Sequence, residues 1–382
     1  MKLKPLLAIA LAAFLASAFA GCAKKEARSL KEAVGDRFLI GAAINNTQTG
    51  PECDPRAERA LTENFNSIVA ENCLKPESLQ PTEGNFEWDM ADRYVEYGED
   101  RGLNVFGHVL VWHSQTPDWF FKNDNGEDAE RDVVIERMRN HIHTVVGRYK
   151  GRIKGWDVVN EAIEDDGSLR ETPWLRIIGP EYIEMAFRFA HEADPDAELY
   201  YNDYSMSSPA KRETVVRMVN GLKEKGLRID AIGMQSHNGL AYPNLEEYQK
   251  SIDAFASTGA KVMITELDLN ALPNPESFGG AEVSQDFEYM AKMDPYKDGL
   301  TPEAEKAIDG RWLEFFRIYK ENSDKISRVN LWGLGDSQSW LNDWPIKGRT
   351  SYPLLFDREF KAKPVVEEII RMYGESTSAG ES

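Results

Sequence analysis

The run "DVVIERMRNHIHTVVGRYKGRIKGWDVVNEAI", residues 132–163, decides the fold. From Asp132 to Tyr149 its apolar residues fall at helical spacing, with Val134, Met138, Ile142 and Val145 on one stripe. After Gly151 the period changes, and "IKGWDVV" from Ile153 is a short β-branched run that stops on Asn160 and Glu161. A helix that hands over to a buried strand is one unit of an alternating α/β chain, and the hand-over recurs outward in both directions. Pro180 to Ala193 reads as the next helix and "ELYYN" from Glu198 as the next strand. The other candidate strands are "FLIGAAI" from Phe38, "SIVA" from Ser67, "LNVFGHV" from Leu103, "IDAIGMQ" from Ile229, "VMITEL" from Val262 and "VNLWGL" from Val329, which makes eight. Eight strands separated by helices close as a parallel (β/α)8 TIM barrel of the α/β class. An open doubly wound sheet would carry a glycine-rich phosphate turn after an early strand, and "GLGDSQS" at Gly333 lacks that spacing.

At about 150 residues per domain, 382 residues suggest two or three domains, yet a barrel takes about 250 or more as one unit. No Gly/Ser or Pro-rich linker interrupts the chain before the terminal "GESTSAGES", so residues 35–373 read as one catalytic domain and 374–382 as a flexible tail. The excess of 64 acidic over 45 basic residues is spread along the sequence. It excludes nucleic acid as partner, because phosphate binding needs clustered Lys and Arg. Three cysteines and six histidines include no CxxC and no Cys/His cluster with zinc spacing, so no metal site and no disulfide framework is expected.

Lys2 and Lys4 precede an apolar run from Leu6 to Ala20, which ends in Phe19-Ala20-Gly21-Cys22 before a charged stretch. That run is shorter than the about twenty residues of a membrane span and has the three parts of an export signal. It resembles a bacterial lipoprotein signal, although Phe19 is less usual there than Leu. The resemblance implies a signal peptide over 1–21, lipidation of Cys22, a tether over 22–34, and a membrane-anchored protein of the cell envelope facing periplasm or cell surface. Ordinary signal cleavage is the alternative.

Barrel enzymes work at the C-terminal ends of their strands, so the residues that end the eight strands are the candidates for chemistry. They are Glu71 and Asn72, His108, Asn160 and Glu161, Asn202 and Asp203, Gln235 and His237, Glu266 and Asp268, then Trp332 and Asp336. Carboxylates and amides interleaved with imidazole and indole suit a ligand covered in hydroxyls whose ring faces stack on aromatics. Glu161 and Glu266 directly end the fourth and seventh strands and should face each other. Two glutamates across one mouth are the minimum equipment for glycosidic bond cleavage, one as general acid and one as nucleophile or base. A single strand-end glutamate could equally be a structural ion pair; two, with Asn160 and His237 nearby, favour catalysis. Two long segments, "NALPNPESFGGAEVSQDFEYMAKMDPYKDGLT" and "SQSWLNDWPIKGRTSYPLLFDREF", follow the last two strands as candidate groove walls.

At this point the motifs resemble glycoside hydrolase family 10, the endo-β-1,4-xylanases, from about Phe38 to Arg371. They are "AENCLKPE", "GHVLVWHSQTPDW", "WDVVNEAI", "LYYNDYS", "GMQSH", "ITELDL" and "LWGLGDSQSWL", in that order. The resemblance implies retaining cleavage of internal bonds in xylan or xylo-oligosaccharides, without metal or organic cofactor. It gives Glu161 the acid/base role and Glu266 the nucleophile role, with His237 and Asp268 orienting the nucleophile. Asn160 matches the residue on the sugar 2-hydroxyl. Glu71, Asn72, Lys75, His108, Trp112 and Gln115 match contacts on the glycone side, Trp332 and Trp340 the aromatic walls, and Tyr204 and Gln235 further contacts. The chain departs from the pattern at Pro76, where the family usually has Trp, and at Val109, where it usually has Thr; Pro76 could reshape the glycone wall.

The plainer readings cover the rest. Trp88, Trp156, Trp174 and Trp312 read as packing residues, and His141 and His143, two apart on a helix, diverge and read as solvated or packing. Cys53 and Cys73 are either a bridge in an oxidising compartment or buried free thiols. The sequence carries no signal for oligomeric state, and a monomer is the favoured default. The competing functions are a retaining glycosidase of another β-1,4-glycan and a non-catalytic xylan-binding lipoprotein, the latter disfavoured because both glutamates are present.

Overall fold

Helix starts are written locally by proline and capping residues. Asp54, Thr172 and Thr301 each accept a backbone hydrogen bond from the first turn of the helices Pro55–Asn64, Pro173–Ile178 and Pro302–Glu321, and each helix opens on proline. Proline there loses no bond, since the first-turn N–H groups have no partner within the helix. The computed structural model describes residues 27–275 and 283–374.

Nine strands alternate with these helices: β1 Leu39–Ile44, β2 Ser67–Ala70, β3 Asn104–Gly107, β4 Gly155–Asn160, β5 Glu198–Asp203, β6 Ala231–Met234, β7 His237–Gly239, β8 Lys261–Asn270 and β9 Ile326–Leu331. All pairings between them are parallel, and β1 pairs with both β2 and β9 while β6 pairs with β8, so eight strands form a closed ring. This is the (β/α)8 barrel, with the eight expected runs as its staves. β7 is the strand the periodicity misses; it lies outside the ring, beside the outer end of β8, with His237 opposite Asp268. Three residues are too few for an alternation to register.

Inside the ring, Val69, Phe106, Tyr200 and Met263 fill the lower layer. Arg328 is buried among them, its guanidinium 3.7 Å from the Phe106 ring centroid and 5.3 Å from that of Tyr200. Gly107 and Gly155 make room for large neighbours, since a Cβ at either would meet the Trp156 ring or the Tyr200 hydroxyl. Trp156, Trp174 and Trp312 are buried packing residues and Trp88 is half-buried against Tyr149. His141 is buried with Nδ1 2.7 Å from Gln80 Oε1, and burial pushes its pKa down to about 3; His143 pairs with Glu192.

The stretch read as a tether through residue 34 needs correction. Leu30–Val34 is a helix capped by Ser29, and Leu30 and Val34, four residues apart on one face, are buried; it packs on the last helix, Pro364–Gly374. The charges of "SLKEAV" hide that short apolar face from a reading by composition. The signal peptide, Cys22 and residues 375–382 lie outside the described residues. Cys53 and Cys73 are free thiols rather than a bridge, and burial pushes the Cys73 thiol up to about 12. Both long inserts rise from strand C-termini and pack on each other: Phe287 N–H donates to Pro345 and Thr350 N–H to the Asp294 carboxylate.

Candidate active site

The mouth of the barrel is polar because each strand ends on a side chain that can bond. The hollow over β4 and β8, of about 150 Å³, is lined by Glu71, Asn72, Lys75, His108, Trp112, Gln115, Asn160, Glu161, Gln235, His237, Glu266, Val283, Trp332 and Trp340. The strand-end candidates Asn202 and Asp203 are outside that lining, and every residue to which the resemblance gives a site role among those described is in it except Tyr204 and Asp268. These two line a larger neighbouring hollow of about 670 Å³, which shares His237 and Trp340 with the first. Asp336, a further strand-end acid, faces elsewhere: it is buried, accepts from Leu354 N–H at 2.9 Å and pairs with Lys363 at 2.8 Å.

Glu161 follows β4 in the left-handed backbone region at φ 57°, which turns its side chain into the mouth. Its Oε2 accepts from Trp112 Nε1 at 2.8 Å, and its Oε1 from Gln235 Nε2 at 2.8 Å and Asn160 Nδ2 at 3.2 Å. All three donors are neutral. Burial raises its pKa above the ordinary carboxyl range, and Asp203 adds to the rise against the opposing effect of His113.

Glu266 lies within β8. Its Oε1 accepts from Asn202 Nδ2 at 2.7 Å, and its Oε2 lies 3.2 Å from His237 Nε2. The other nitrogen of His237 is 3.0 Å from Asp268 Oδ2, which also accepts from Trp340 Nε1 at 2.8 Å. Burial works against a charged His237, but Asp268 and Glu266 outweigh it and raise its pKa to about 10, so the ring is an imidazolium donating from both nitrogens at neutral pH. Burial pushes Glu266 up as well; the His237 hydrogen bond, leading the opposing effects, leaves it below its usual value.

An amide relay joins the two carboxylates. Asn160 Oδ1 accepts from Asn202 Nδ2 at 2.9 Å, and Asn202 also bonds Glu266 while Asn160 bonds Glu161. On the other wall Lys75 Nζ donates to Gln115 Oε1 at 2.8 Å and Asn72 Oδ1 at 3.1 Å and sits 5.2 Å from the Trp112 ring centroid. Burial lowers the Lys75 pKa, against the pull of Glu266, Glu71 and Glu161. His108 Nδ1 is 2.9 Å from Asp157 Oδ2, both buried. Pro76 is buried at the start of the helix Pro76–Leu79, directly after Lys75.

Sequence reasoning missed Arg170 and Asp157 as site supports. Arg170 is buried, donates through Nε to the Glu161 carbonyl at 2.9 Å, and bonds the Tyr204 hydroxyl. Asp157 lies in β4, the strand that Glu161 directly follows, so strand membership was its signal; Arg170 follows Glu161 by nine residues in a loop and had none. No group of three His, Cys, Asp or Glu among the described residues is placed to hold a metal ion. Two buried carboxyl groups, one with raised and one with lowered proton affinity, can donate a proton and offer a nucleophile at the same pH.

The profile of Glycosyl hydrolase family 10 matches residues 29–372. The endo-1,4-beta-xylanase A of Xylanibacter ruminicola is 55% identical over 345 residues, covering 90% of this chain and 93% of that protein. A GH10 endoxylanase from a sugarcane soil metagenome superposes with a TM-score of 0.87 at 44% identity, over 90% of this chain and 99% of that one. The xylanase TsXylA of Thermoanaerobacterium saccharolyticum, solved as a mutant with xylotriose, gives a TM-score of 0.77 at 36% identity, over 91% and 99%.

Proposed function

The chain belongs to glycoside hydrolase family 10, and from that premise we propose that it hydrolyses internal β-1,4-xylosidic bonds of xylan with retention of configuration. The observation that carries this reading is a pair of buried glutamates in one hollow, Glu161 held by the neutral donors Trp112 and Gln235 and Glu266 held by His237 with Asp268 behind it. In the first step the Glu266 carboxylate attacks the anomeric carbon, the glycosidic C–O bond breaks, and the Glu161 proton passes to the leaving oxygen. Loss of the Glu266 charge in the glycosyl ester, and of the Glu161 proton, leaves Glu161 a base. Water then gives it a proton and attacks the same carbon, which frees the sugar and restores both groups. Asn160 on the 2-hydroxyl strengthens as oxocarbenium character develops, which is differential binding of the transition state. Trp332 and Trp340 flank the ring, and Glu71, Asn72 and Lys75 hold the next unit.

Proton NMR of β-1,4-xylohexaose during the first minutes of reaction tests the proposal. Internal cleavage with β-anomers appearing first is expected. Cleavage of cello- or manno-oligosaccharides alone moves the specificity to another glycan, and binding without new reducing ends removes the enzyme.

The second proposal concerns location. The apolar run ending at Cys22 supports an envelope lipoprotein, and the expected result is incorporation of labelled palmitate that Cys22→Ser abolishes; incorporation that survives this change refutes it.

A further inference from the structure

A buried polar cluster stands behind Glu161 and takes no part in the steps above. Asp203 ends β5, Lys211 lies in the helix Pro209–Glu224, both are fully buried, and they pair at 3.1 Å. We propose that Asp203, with Lys211 behind it, is a positioning residue for Glu161, gripping through the Tyr201 hydroxyl the backbone that aims the acid/base. The proposal rests on the xylanase reading and extends it to residues that line neither hollow.

The backbone at Glu161 is the first argument. Its φ of 57° is a conformation that a residue with a side chain keeps only where its surroundings hold it. Three bonds do so: Glu161 N–H donates to the Asn202 carbonyl at 2.9 Å, Arg170 Nε donates to the Glu161 carbonyl at 2.9 Å, and Ala162 N–H donates to the Tyr201 hydroxyl at 3.2 Å. The third depends on Asp203. Tyr201 donates its own proton to Asp203 Oδ2, and a hydroxyl turned towards a carboxylate presents its lone pairs to the amide.

The far side of Asp203 is equally tied. Its Oδ1 accepts from Tyr204 N–H at 2.8 Å and from Lys211 Nζ at 3.1 Å. Lys211 uses its other two donors on the Tyr204 carbonyl at 3.0 Å and on Asp165 at 3.1 Å, so one ammonium joins β5 to the loop that follows Glu161. As a brace alone the pair is a poor choice, because two apolar side chains of that size stabilise a core as well without giving up the hydration of two charges.

The arrangement also has an electrostatic consequence. Lys211, Tyr201, Tyr204, Arg170 and, from the helix Tyr182–Ala193, Tyr182 surround Asp203. Around Glu161 stand Glu266 across the mouth, Lys75, Tyr204, His113 and Asp203. Behind the effect of burial, Asp203 helps to keep the proton on Glu161 and His113 works against it.

The test separates positioning from packing. Tyr201→Phe removes the bond to Ala162 and keeps the charge, while Asp203→Asn keeps the shape and removes the charge. For each, kcat/KM per site titrated with a 2-deoxy-2-fluoro-xylobioside inactivator is measured against pH on two substrates. Xylohexaose has a leaving group that needs a proton, and 2,4-dinitrophenyl β-xylobioside has one that does not. Tyr201→Phe should lose about ten-fold or more on the hexaose and less than about two-fold on the aryl glycoside, with its alkaline limb in place. Asp203→Asn should move the alkaline limb on the hexaose to lower pH by about half a unit or more, since the lost charge favoured protonated Glu161. Equal losses on the two substrates in Tyr201→Phe, or a limb in Asp203→Asn that stays or rises, overturns the proposal and leaves the xylanase reading standing. If Asp203→Asn gives no titratable sites, the substrate split in Tyr201→Phe decides alone. Failure of the unaltered enzyme to cleave either substrate overturns the reading beneath it.

Discussion

Glu161 and Glu266 are the same residue at nearly the same exposure, 4% and 5%, yet their proton affinities move in opposite directions. The donors around Glu161 are an indole and two amides, which share density with a carboxylate but add no charge. Around Glu266 one donor is an imidazolium backed by Asp268, and it overcomes a burial penalty that acts on both. Burial sets the stakes, and the charge of the partner sets the sign.

The comparison breaks most completely at the nucleophile. Glu266→Ala should lower turnover of xylan by roughly 10⁴-fold or more, and azide should restore product of inverted configuration, followed by NMR. Full activity in that variant would remove Glu266 from the mechanism. Glu161→Ala should cost about 10²–10⁴-fold on xylan, where the leaving group needs a proton. With a good aryl leaving group it should instead accumulate glycosyl-enzyme, visible by intact-protein mass; no such species would end the acid/base assignment.

His237→Asn addresses the sign itself. Glu266 works as the carboxylate, so activity is lost as pH falls through its pKa, and His237 is what lowers that pKa. The variant should move the acid limb of the kcat/KM profile to higher pH and cost about 10²-fold. An unmoved limb would mean that the charge of His237 does not reach Glu266. The smallest effect is expected for Trp112→Phe. The Trp112 bond lowers the Glu161 pKa slightly, so its loss should raise the alkaline limb by about one pH unit or less. A downward shift would reverse the role given to that indole.

The barrel was legible because its strands are buried on both faces and so read as unbroken apolar runs, while its helices keep a 3.6-residue stripe. The site was legible for a related reason: a strand end is a fixed address, and Glu161, Gln235 and Glu266 could be placed from it. What escaped were contacts set by loop geometry. Arg170 reaches the Glu161 carbonyl from a loop with no periodicity. Leu30–Val34 showed only three apolar residues, Leu30, Ala33 and Val34, on its buried face, too few to outweigh its charges. Asp336 shows the limit of the strand-end rule, because a residue five beyond β9 has left the strand's direction and serves Lys363 instead.

The ring closes where β1 meets β9, pairing Leu39 with Arg328, and the helix Leu30–Val34 is clasped by Pro364–Gly374. Translation delivers these partners nearly a whole chain length apart. The barrel therefore stays an open sheet until β9 has been made, and a chain that stops short of β9 carries two unpaired strand edges that holding chaperones and proteases can recognise.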